Sequence, residues 1–196
     1  MQQRLISLAF LVLMVHAGVS QTDTFRIDNG LSKLEWYGTK VTGTNQGLIA
    51  LRGGEVWIKD AQLIGGSFEV DMQSITDTDL PKAYRPKLEE HLKSADFFDV
   101  EAYPISQFFI KKVTPIEGGK FNAQITGDLT IKGITKEISF PAKVKASATK
   151  FAAYGEMTID RTRFDIRYGS KSFFDDWGDR TIENDFRLEV SLAAKR

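Results

Sequence analysis

The sequence predicts an all-β protein, an eight-stranded antiparallel up-and-down barrel interrupted by a short helix in the loop around residues 82–95. Three observations carry this prediction. Apolar and polar residues alternate with a period of two along most of the chain, which is typical of strands with one covered face. Short turns containing glycine separate several of these strands and favour hairpins. No second layer is predicted to cover the apolar faces, so the sheet is expected to close on itself.

The clearest strand lies at residues 119–131. From Phe121 to Ile131 the odd-numbered residues are apolar or glycine and the even-numbered ones are polar, an order that a helix of 3.6 residues per turn would not produce. Similar alternation, with turn signals at Gly118-Gly119 and Lys132-Gly133, defines the other strands. The predicted strands are 33–41, 46–58, 62–73, 104–114, 119–131, 136–147, 150–160 and 184–194.

The predicted inner face of the barrel mixes large residues with small ones. Gly38, Gly127 and Gly155 are among the small inward residues, and they are expected to leave a tunnel open along the barrel. The alternative is that large side chains from other strands fill these gaps. In the third strand the alternation places Ile64 on the inner face. The phase of residues 46–58 is ambiguous because two adjacent glycines interrupt the strand.

Residues 75–99 depart from the strand pattern. The stretch from Pro81 to Pro86 is rich in turn formers, and residues 87–94 have a helical pattern in which Leu88 and Leu92 share one face. We expect a short helix and a loop, on the surface or over one mouth of the barrel. Nothing in the sequence marks a linker, a repeat or a second domain, so residues 21–196 are predicted to form one barrel domain.

The first twenty residues predict export. Arg4 precedes about eleven mostly apolar residues, and a stretch of small residues ends at Ser20, which is the pattern of a secretory signal peptide. The apolar run is shorter than the roughly twenty residues that a membrane span needs. We therefore predict a signal peptide at residues 1–20, cleaved near Ser20, and a periplasmic or secreted domain without a transmembrane segment.

Composition argues against several classes of function. Removing residues 1–20 takes Lys and Arg from 26 to 25 against 26 acids, a net charge of about −1, which predicts no nucleic-acid partner. The chain has no cysteine, and His91 is the only histidine after residue 20. These counts exclude a cysteine nucleophile and a zinc site built from two or more His or Cys ligands. We predict no catalytic residues, no metal site and no cofactor.

Charged motifs leave two alternatives open. Asp175, Asp176 and Asp179 form a D-D-x-x-D pattern, which is the magnesium-binding pattern of enzymes that build polyprenyl chains. In those enzymes the pattern lies on a helix and occurs twice, whereas here Gly178, the strand-forming surroundings and the absence of a second copy favour a chance occurrence. Arg161 and Arg163 lie close together and could contact an anionic headgroup. The alternative for the arginines is a solvated strand face that pairs with nearby aspartates.

Residues 91–104 begin with His91-Leu-Lys-Ser-Ala-Asp-Phe-Phe-Asp99, and this run strongly resembles the YceI-like family of polyisoprenoid-binding exported bacterial proteins. Further matching stretches follow the expected order, notably residues 66–72 and 127–136, and together they cover roughly residues 24–194. The resemblance implies a lipocalin-like, eight-stranded barrel whose interior holds an isoprenoid chain. Where many relatives carry a histidine after Lys40, this chain has residues 42–47 without one, which puts the headgroup preference in doubt.

The resemblance and the strand pattern together predict a protein that binds an isoprenoid lipid, either a polyprenyl chain or a quinone tail, as a carrier, store or sensor. The predicted tunnel lining is Trp36, Phe68, Phe108, Ile125, Leu129, Ile138, Phe140, Met157, Phe186 and Leu188. The predicted mouth or headgroup residues are His91, Phe97, Phe98, Arg161 and Arg163. On a regular strand, Phe97 and Phe98 could not both face inward. A lipid-modifying enzyme on the same barrel, or a filled barrel that acts through protein contacts, are the alternatives.

Overall fold

The computed structural model describes residues 21–173, 178 and 181–196. The predicted signal peptide at 1–20 and the D-D-x-x-D residues Asp175, Asp176 and Asp179 lie outside this range. Within it the chain forms nine strands and one α-helix, with a short 3-10 helix at Arg161–Phe164. The elements are β1 Asp23–Ile27, β2 Lys33–Lys40, β3 Gly43–Lys59, β4 Gln62–Asp77, α1 Arg85–Lys93, β5 Ile105–Pro115, β6 Ala123–Ile131, β7 Ile134–Ala146, β8 Lys150–Asp160 and β9 Ile182–Lys195.

The sheet closes into an antiparallel barrel of eight strand positions, as predicted. Around the barrel the order is β3, β2, β9, β8, β7, β6, β5 and β4, and β4 pairs with β3 to complete the circle. Strand β1, which the sequence did not predict, lies in line with β2 in the same position. It pairs with β3 from Asp23 to Arg26 and with the end of β9 through Arg26 and Ile27. Strands β1 and β2 therefore act as one interrupted strand.

Short turns join most neighbouring strands. Between β6 and β7 the turn at Lys132-Gly133 has φ values of 50° and 70°, which is the left-handed pair that a two-residue hairpin requires. Asp60 and Ala61 adopt the same region between β3 and β4, with φ values of 51° and 59°. The first of these turns was predicted from its glycine, and the second falls in the gap between the predicted strands 46–58 and 62–73, although it contains no glycine.

Bulges reset the inner face of the two longest strands. In β3, Leu51 lines the interior, whereas further along the strand Val56 and Ile58 are buried, because the register shifts near residues 52–53. In β4 the register shifts between its partners Trp57 and Ile58, so Leu63 is 8% exposed and Ile64 is 45% exposed. The prediction that Ile64 faces inward is therefore wrong, since a bulge moves one residue to the other face.

The interior holds two apolar clusters stacked along the barrel. One contains buried residues of β1, β3 and β6, among them Phe25, Val56 and Ile125. The other contains residues of α1 and of the segments that follow α1 and β8, among them Leu92, Phe97 and Phe164. Phe108 and Phe140 pack against both clusters. Helix α1 therefore closes the second cluster at one end of the barrel. No helix among the described residues is long and apolar enough to cross a lipid bilayer.

Candidate ligand cavity

The barrel interior contains two cavities of different size that share part of their lining. The larger, about 610 Å³, lies beneath helix α1, and the smaller, about 90 Å³, lies deeper in the barrel. Both are lined mainly by apolar side chains, and the larger falls within the usual size range of small-molecule sites. The residues common to both linings form a waist between the cavities, and they are Leu34, Val70, Ser106, Leu129 and Leu188.

Nine of the ten residues predicted to line a tunnel lie in the wall of one of these cavities. Trp36 and Phe186 line the larger cavity, and Leu129 and Leu188 lie at the waist. The smaller cavity is lined by Phe68, Phe108, Ile125, Phe140 and Met157. Ile138 lines neither cavity and instead packs against the apolar cluster that contains Leu92 and Phe164.

The Trp36 side chain is fixed across one wall of the larger cavity. Its Nε1–H donates a hydrogen bond of 3.2 Å to the carbonyl oxygen of Thr76. Gly47, its partner on β3, makes room for the ring, because a Cβ there would lie 2.5 Å from Trp36 Cζ2 and 1.9 Å from the Thr76 oxygen. Gly38 lies two residues further along β2, and a Cβ built on it meets no atom within 4 Å. Open space beside Gly38 is thus part of the cavity.

Two other inward glycines do not leave open space. A Cβ on Gly127 would lie 2.6 Å from Cζ of Phe108, and one on Gly155 would lie 2.9 Å from Cε2 of Phe140. The Phe108 and Phe140 rings therefore occupy the gaps that these glycines create. The prediction of an open tunnel holds at Gly38 and is wrong at Gly127 and Gly155, where aromatic rings from adjacent strands fill the barrel.

Helix α1 and the turn that follows it form one wall of the larger cavity. Leu88, His91 and Leu92 contact the cavity from the helix, and Phe97 and Phe98 contact it from the turn. Both phenylalanines reach the cavity because residues 95–98 form a turn, which does not send successive side chains to opposite faces as a strand does. The expectation that Phe97 and Phe98 could not both face inward holds for a strand and does not apply to this turn.

His91 is surrounded by aromatic rings. Its ring centroid lies 4.4 Å from that of Tyr168 and 5.8 Å from that of Phe97, both in edge-on geometry. Its Nε2 atom is buried and has no hydrogen-bond partner among the described residues. The same part of the chain contains no group of three or more His, Asp and Glu side chains able to hold a metal ion.

Arg161 and Arg163, predicted together, lie in different environments. Arg161 is 1% exposed and lines the larger cavity. Its guanidinium donates hydrogen bonds of 2.8 to 3.0 Å to the carbonyl oxygens of Ile166, Ile182 and Glu183. Burial lowers the pKa of this guanidinium, and the charge of the neighbouring Asp160 opposes that shift. The guanidinium of Arg161 therefore links the backbone at Ile166 to the backbone at Ile182 and Glu183. Very little of its surface is accessible to a ligand.

Arg163 lies outside both cavities. Its side chain is exposed and donates one long hydrogen bond, 3.5 Å, to the carbonyl oxygen of Glu137. The structure thus brings His91, Phe97, Phe98 and Arg161 together around the larger cavity and leaves Arg163 on the outer surface. That any of these residues contacts a headgroup stays a prediction.

A buried carboxylate anchors helix α1 to the end of β4. Asp77 is 2% exposed, and its Oδ1 accepts a 2.8 Å hydrogen bond from the amide of Leu80 and lies 3.9 Å from Nε of Arg85. The backbone amide of Asp77 donates to the carboxylate of Glu89 on α1. Burial raises the pKa of the Asp77 carboxyl and Asp79 adds to the rise, which the Leu80 amide and Arg85 only partly oppose.

We expect the Asp77 carboxyl to make the free energy of unfolding depend on pH. Because its pKa is raised in the folded state, the stability linked to it is full below the ordinary aspartate pKa and is lost as pH rises through the raised value. Asp77→Asn is expected to remove this dependence, so the variant gains in free energy of unfolding relative to wild type between about pH 4 and pH 7. Urea unfolding at both pH values measures the difference in free energy of unfolding between variant and wild type, with the exposed Asp96→Asn as control. If Asp77→Asn were less stable relative to wild type at the higher pH than at the lower, the raised pKa of Asp77 would be contradicted.

Sequence reasoning missed part of the cavity. Leu34 and Val70 lie at the waist and are inward residues of predicted strands. The alternation of apolar and polar residues would have supported adding them to the predicted tunnel lining. The polar rim of the larger cavity includes Lys40, Asn45 and Lys87. The family resemblance linked the stretch 42–47, which contains Asn45, to headgroup preference. No sequence signal placed Asn45 with Lys40 and Lys87, because these residues come from separate elements that only the closed barrel brings together.

Several solved structures share this fold. BcnA of Burkholderia cenocepacia is similar with a TM-score of 0.68 at 20% identity, over 86% of this chain and 99% of BcnA. A domain from Saccharophagus degradans, described as polyisoprenoid-binding and implicated in plant cell wall breakdown, is similar with a TM-score of 0.62 at 13% identity. That match covers 87% of this chain and 97% of the domain. At such identities the likeness establishes the fold alone.

Curated relatives match over shorter stretches. A UPF0312 protein of Photorhabdus laumondii is 31% identical over 126 residues, which is 55% of this chain and 62% of that protein. A UPF0312 protein of Pseudomonas putida is 43% identical over 54 residues, or 28% of this chain and 27% of that protein. The chain thus spans less than two thirds of the length of these relatives. The YceI-like domain model, in contrast, matches residues 25–194, almost the whole described barrel, and the chain belongs to the YceI-like family.

Proposed function

We propose that this protein binds an isoprenoid lipid, with a polyprenyl chain or quinone tail in the barrel interior, and acts as a carrier, store or sensor without changing its ligand. The observation that carries the proposal is the apolar cavity of about 610 Å³ beneath helix α1. Its wall is formed largely by aliphatic and aromatic side chains from the strands and the helix, and its polar residues lie mainly at the rim. A long apolar chain with one polar end suits such a cavity.

Hydrophobic burial supplies enough free energy for such binding. A tail of several isoprene units has several hundred Å² of apolar surface, and at about 25 cal/mol per Å² its enclosure contributes on the order of 10 kcal/mol before the costs of ordering. Neither a charge nor a metal ion is needed for this contribution. The cavity is already formed around Trp36 and Gly38 in the structure, which keeps the ordering cost on the protein side low.

Family membership and one structural neighbour support the ligand class. The neighbour from Saccharophagus degradans is described as polyisoprenoid-binding, and it shares the barrel that encloses the cavity. The sequence pattern of residues 1–20 supports action in the periplasm or outside the cell after removal of a signal peptide.

Extraction of bound lipid from the protein tests the proposal. We expect organic extraction of protein purified from its native host, followed by mass spectrometry, to recover an isoprenoid lipid in near-stoichiometric amount. Stripped protein is then expected to take up added quinone or polyprenol. Recovery of no isoprenoid together with no uptake would refute the proposal, and a filled barrel that acts through protein contacts would then be favoured.

One observation favours a second candidate function. The buried Nε2 of His91 has no partner in the described part of the chain, and its ring lies in the cavity wall. A lipid-modifying enzyme on the same barrel would use such a nitrogen as a general base. His91→Ala distinguishes the two functions, because a binding protein keeps its ligand and shows no turnover to lose, whereas an enzyme loses turnover and still retains lipid.

A further inference from the structure

Three phenylalanine rings divide the barrel interior. Phe68 on β4 and Phe108 on β5 stack with ring centroids 6.5 Å apart, and Phe140 on β7 lies 5.7 Å from Phe108. All three line the smaller cavity and none lines the larger one. Below the waist the barrel therefore contains only about 90 Å³ of open volume, against about 610 Å³ above it. We call these residues the phenylalanine cluster.

Two rings of the phenylalanine cluster, those of Phe108 and Phe140, pack closely against glycines of neighbouring strands. Phe108 lies against Gly127, where its Cζ and Cε2 would be 2.6 and 2.8 Å from a Cβ, and Phe140 lies against Gly155 in the same way. Each glycine accepts the ring of the neighbouring strand, so moving a ring would leave an empty gap in a close-packed interior. The rings of Phe108 and Phe140 thus fill the space beside the two glycines and help to keep the barrel interior below the waist filled.

The length of the larger cavity follows from the geometry of β2. Between Leu34 at the waist and Lys40 at the rim the strand advances six residues. At about 3.3 Å per residue, and with the strand tilt of roughly 40° that is typical of barrels, this corresponds to a depth of roughly 15 Å, or about three to four extended isoprene units. A longer chain has no continuous space below the waist unless the phenylalanine cluster moves.

We propose that the phenylalanine cluster limits the length of the bound chain, so that the larger cavity selects an isoprenoid tail of a few units over a long one. The inference rests on the proposed isoprenoid-binding function and adds the preferred class of ligand. Tails that end near the waist bury their whole length, whereas longer tails either leave apolar surface in water or displace the packed rings of the phenylalanine cluster. Phe108 has the central role, because it contacts both other members of the cluster.

Homologues of one quinone that differ only in tail length test this inference. We expect stripped wild-type protein to bind a four-unit tail about tenfold more tightly than an eight-unit tail, as measured by tryptophan fluorescence or native mass spectrometry. Phe108→Ala is expected to reduce this preference to about threefold or less by strengthening binding of the long tail. Phe140→Leu, a smaller change to the same cluster, is expected to shift the preference in the same direction and serves if the alanine variant does not fold.

Phe164→Leu is the matched control, because Phe164 is fully buried and lines neither cavity. It is expected to keep the wild-type preference. If wild-type protein bound long and short tails equally, or if the Phe108 and Phe140 variants kept the wild-type preference, the length limit would be refuted while isoprenoid binding stood. If no tail of any length bound, the proposed function and the length limit would both fail.

Discussion

Gly38→Phe is expected to abolish binding of an isoprenoid ligand while the barrel still folds. A Cβ at Gly38 meets no atom within 4 Å, and the neighbours of Gly38 across both ladders, Asn45 and Phe186, line the larger cavity. A benzyl group there would occupy the space proposed for the ligand. We expect affinity to fall at least about 100-fold, equivalent to roughly 2.8 kcal/mol, because the enclosed tail loses its site. Binding titration of stripped protein with a short-tailed quinone measures the loss.

Ala152→Phe provides the control for the Gly38 experiment. Ala152 is exposed on β8 and lines neither cavity, so it accepts the same aromatic group on the outside of the barrel. We expect its ligand affinity to match that of wild type and its thermal midpoint to change little. Unchanged affinity in Gly38→Phe, with the fold confirmed by circular dichroism, would show that the ligand lies elsewhere.

Arg161→Met is expected to lower the free energy of unfolding by about 3 kcal/mol. The substitution removes the donors to the carbonyl oxygens of Ile166, Ile182 and Glu183, and a buried acceptor left without a partner costs about 1–3 kcal/mol. Relief of the burial cost of the cation offsets part of that sum. Chemical denaturation in urea measures the difference. Arg161→Lys is expected to recover only part of it, because an ammonium group lacks the planar fork that reaches several carbonyls.

Arg163→Met is the control for that experiment and lies two residues away. The side chain of Arg163 is exposed and makes a single 3.5 Å hydrogen bond, so we expect a change within about 0.5 kcal/mol. Equal stability of Arg161→Met and wild type would mean that water or rearranged backbone replaces the lost donors. A loss of ligand affinity in a fully folded Arg161→Lys variant would instead support the headgroup contact predicted from the sequence.

The sequence pattern predicted the strands because alternation is a local property. β6 is the best example, since its inward residues 123, 125, 127, 129 and 131 are all buried. Bulges escaped prediction because they depend on how two strands pair. Ile64 faces outward only because β3 and β4 shift register at Trp57 and Ile58. Strand β1 escaped because its five residues contain one buried side chain, Phe25, which is too few to display a period.

The cavity could be predicted in part for a similar reason. Alternation identified which residues face inward, and nine of the ten chosen line a cavity. Alternation does not say which inward glycine stays open. That choice depends on the rotamers of neighbouring rings, which fill the space at Gly127 and Gly155 and leave it at Gly38. Phe97 and Phe98 likewise both reach the cavity because they lie in a turn after α1. Alternation predicts which residues of a strand face inward, and it does not predict the side-chain directions in a turn.

Strand β9 has a consequence for the order in which the molecule assembles. It pairs with β8 from Asp185 to Lys195, with β2 from Lys33 to Lys40, and with β1 through Arg26 and Ile27. These partners precede it by up to about 170 positions, and Asp28 forms an ion pair with Lys195. Contacts between such distant parts of a chain form slowly, because the loop between them must be closed first. We therefore expect the pairing of β9 with β1 and β2 to close the barrel late, and until it forms β2 and β9 are left with open edges able to pair with other chains.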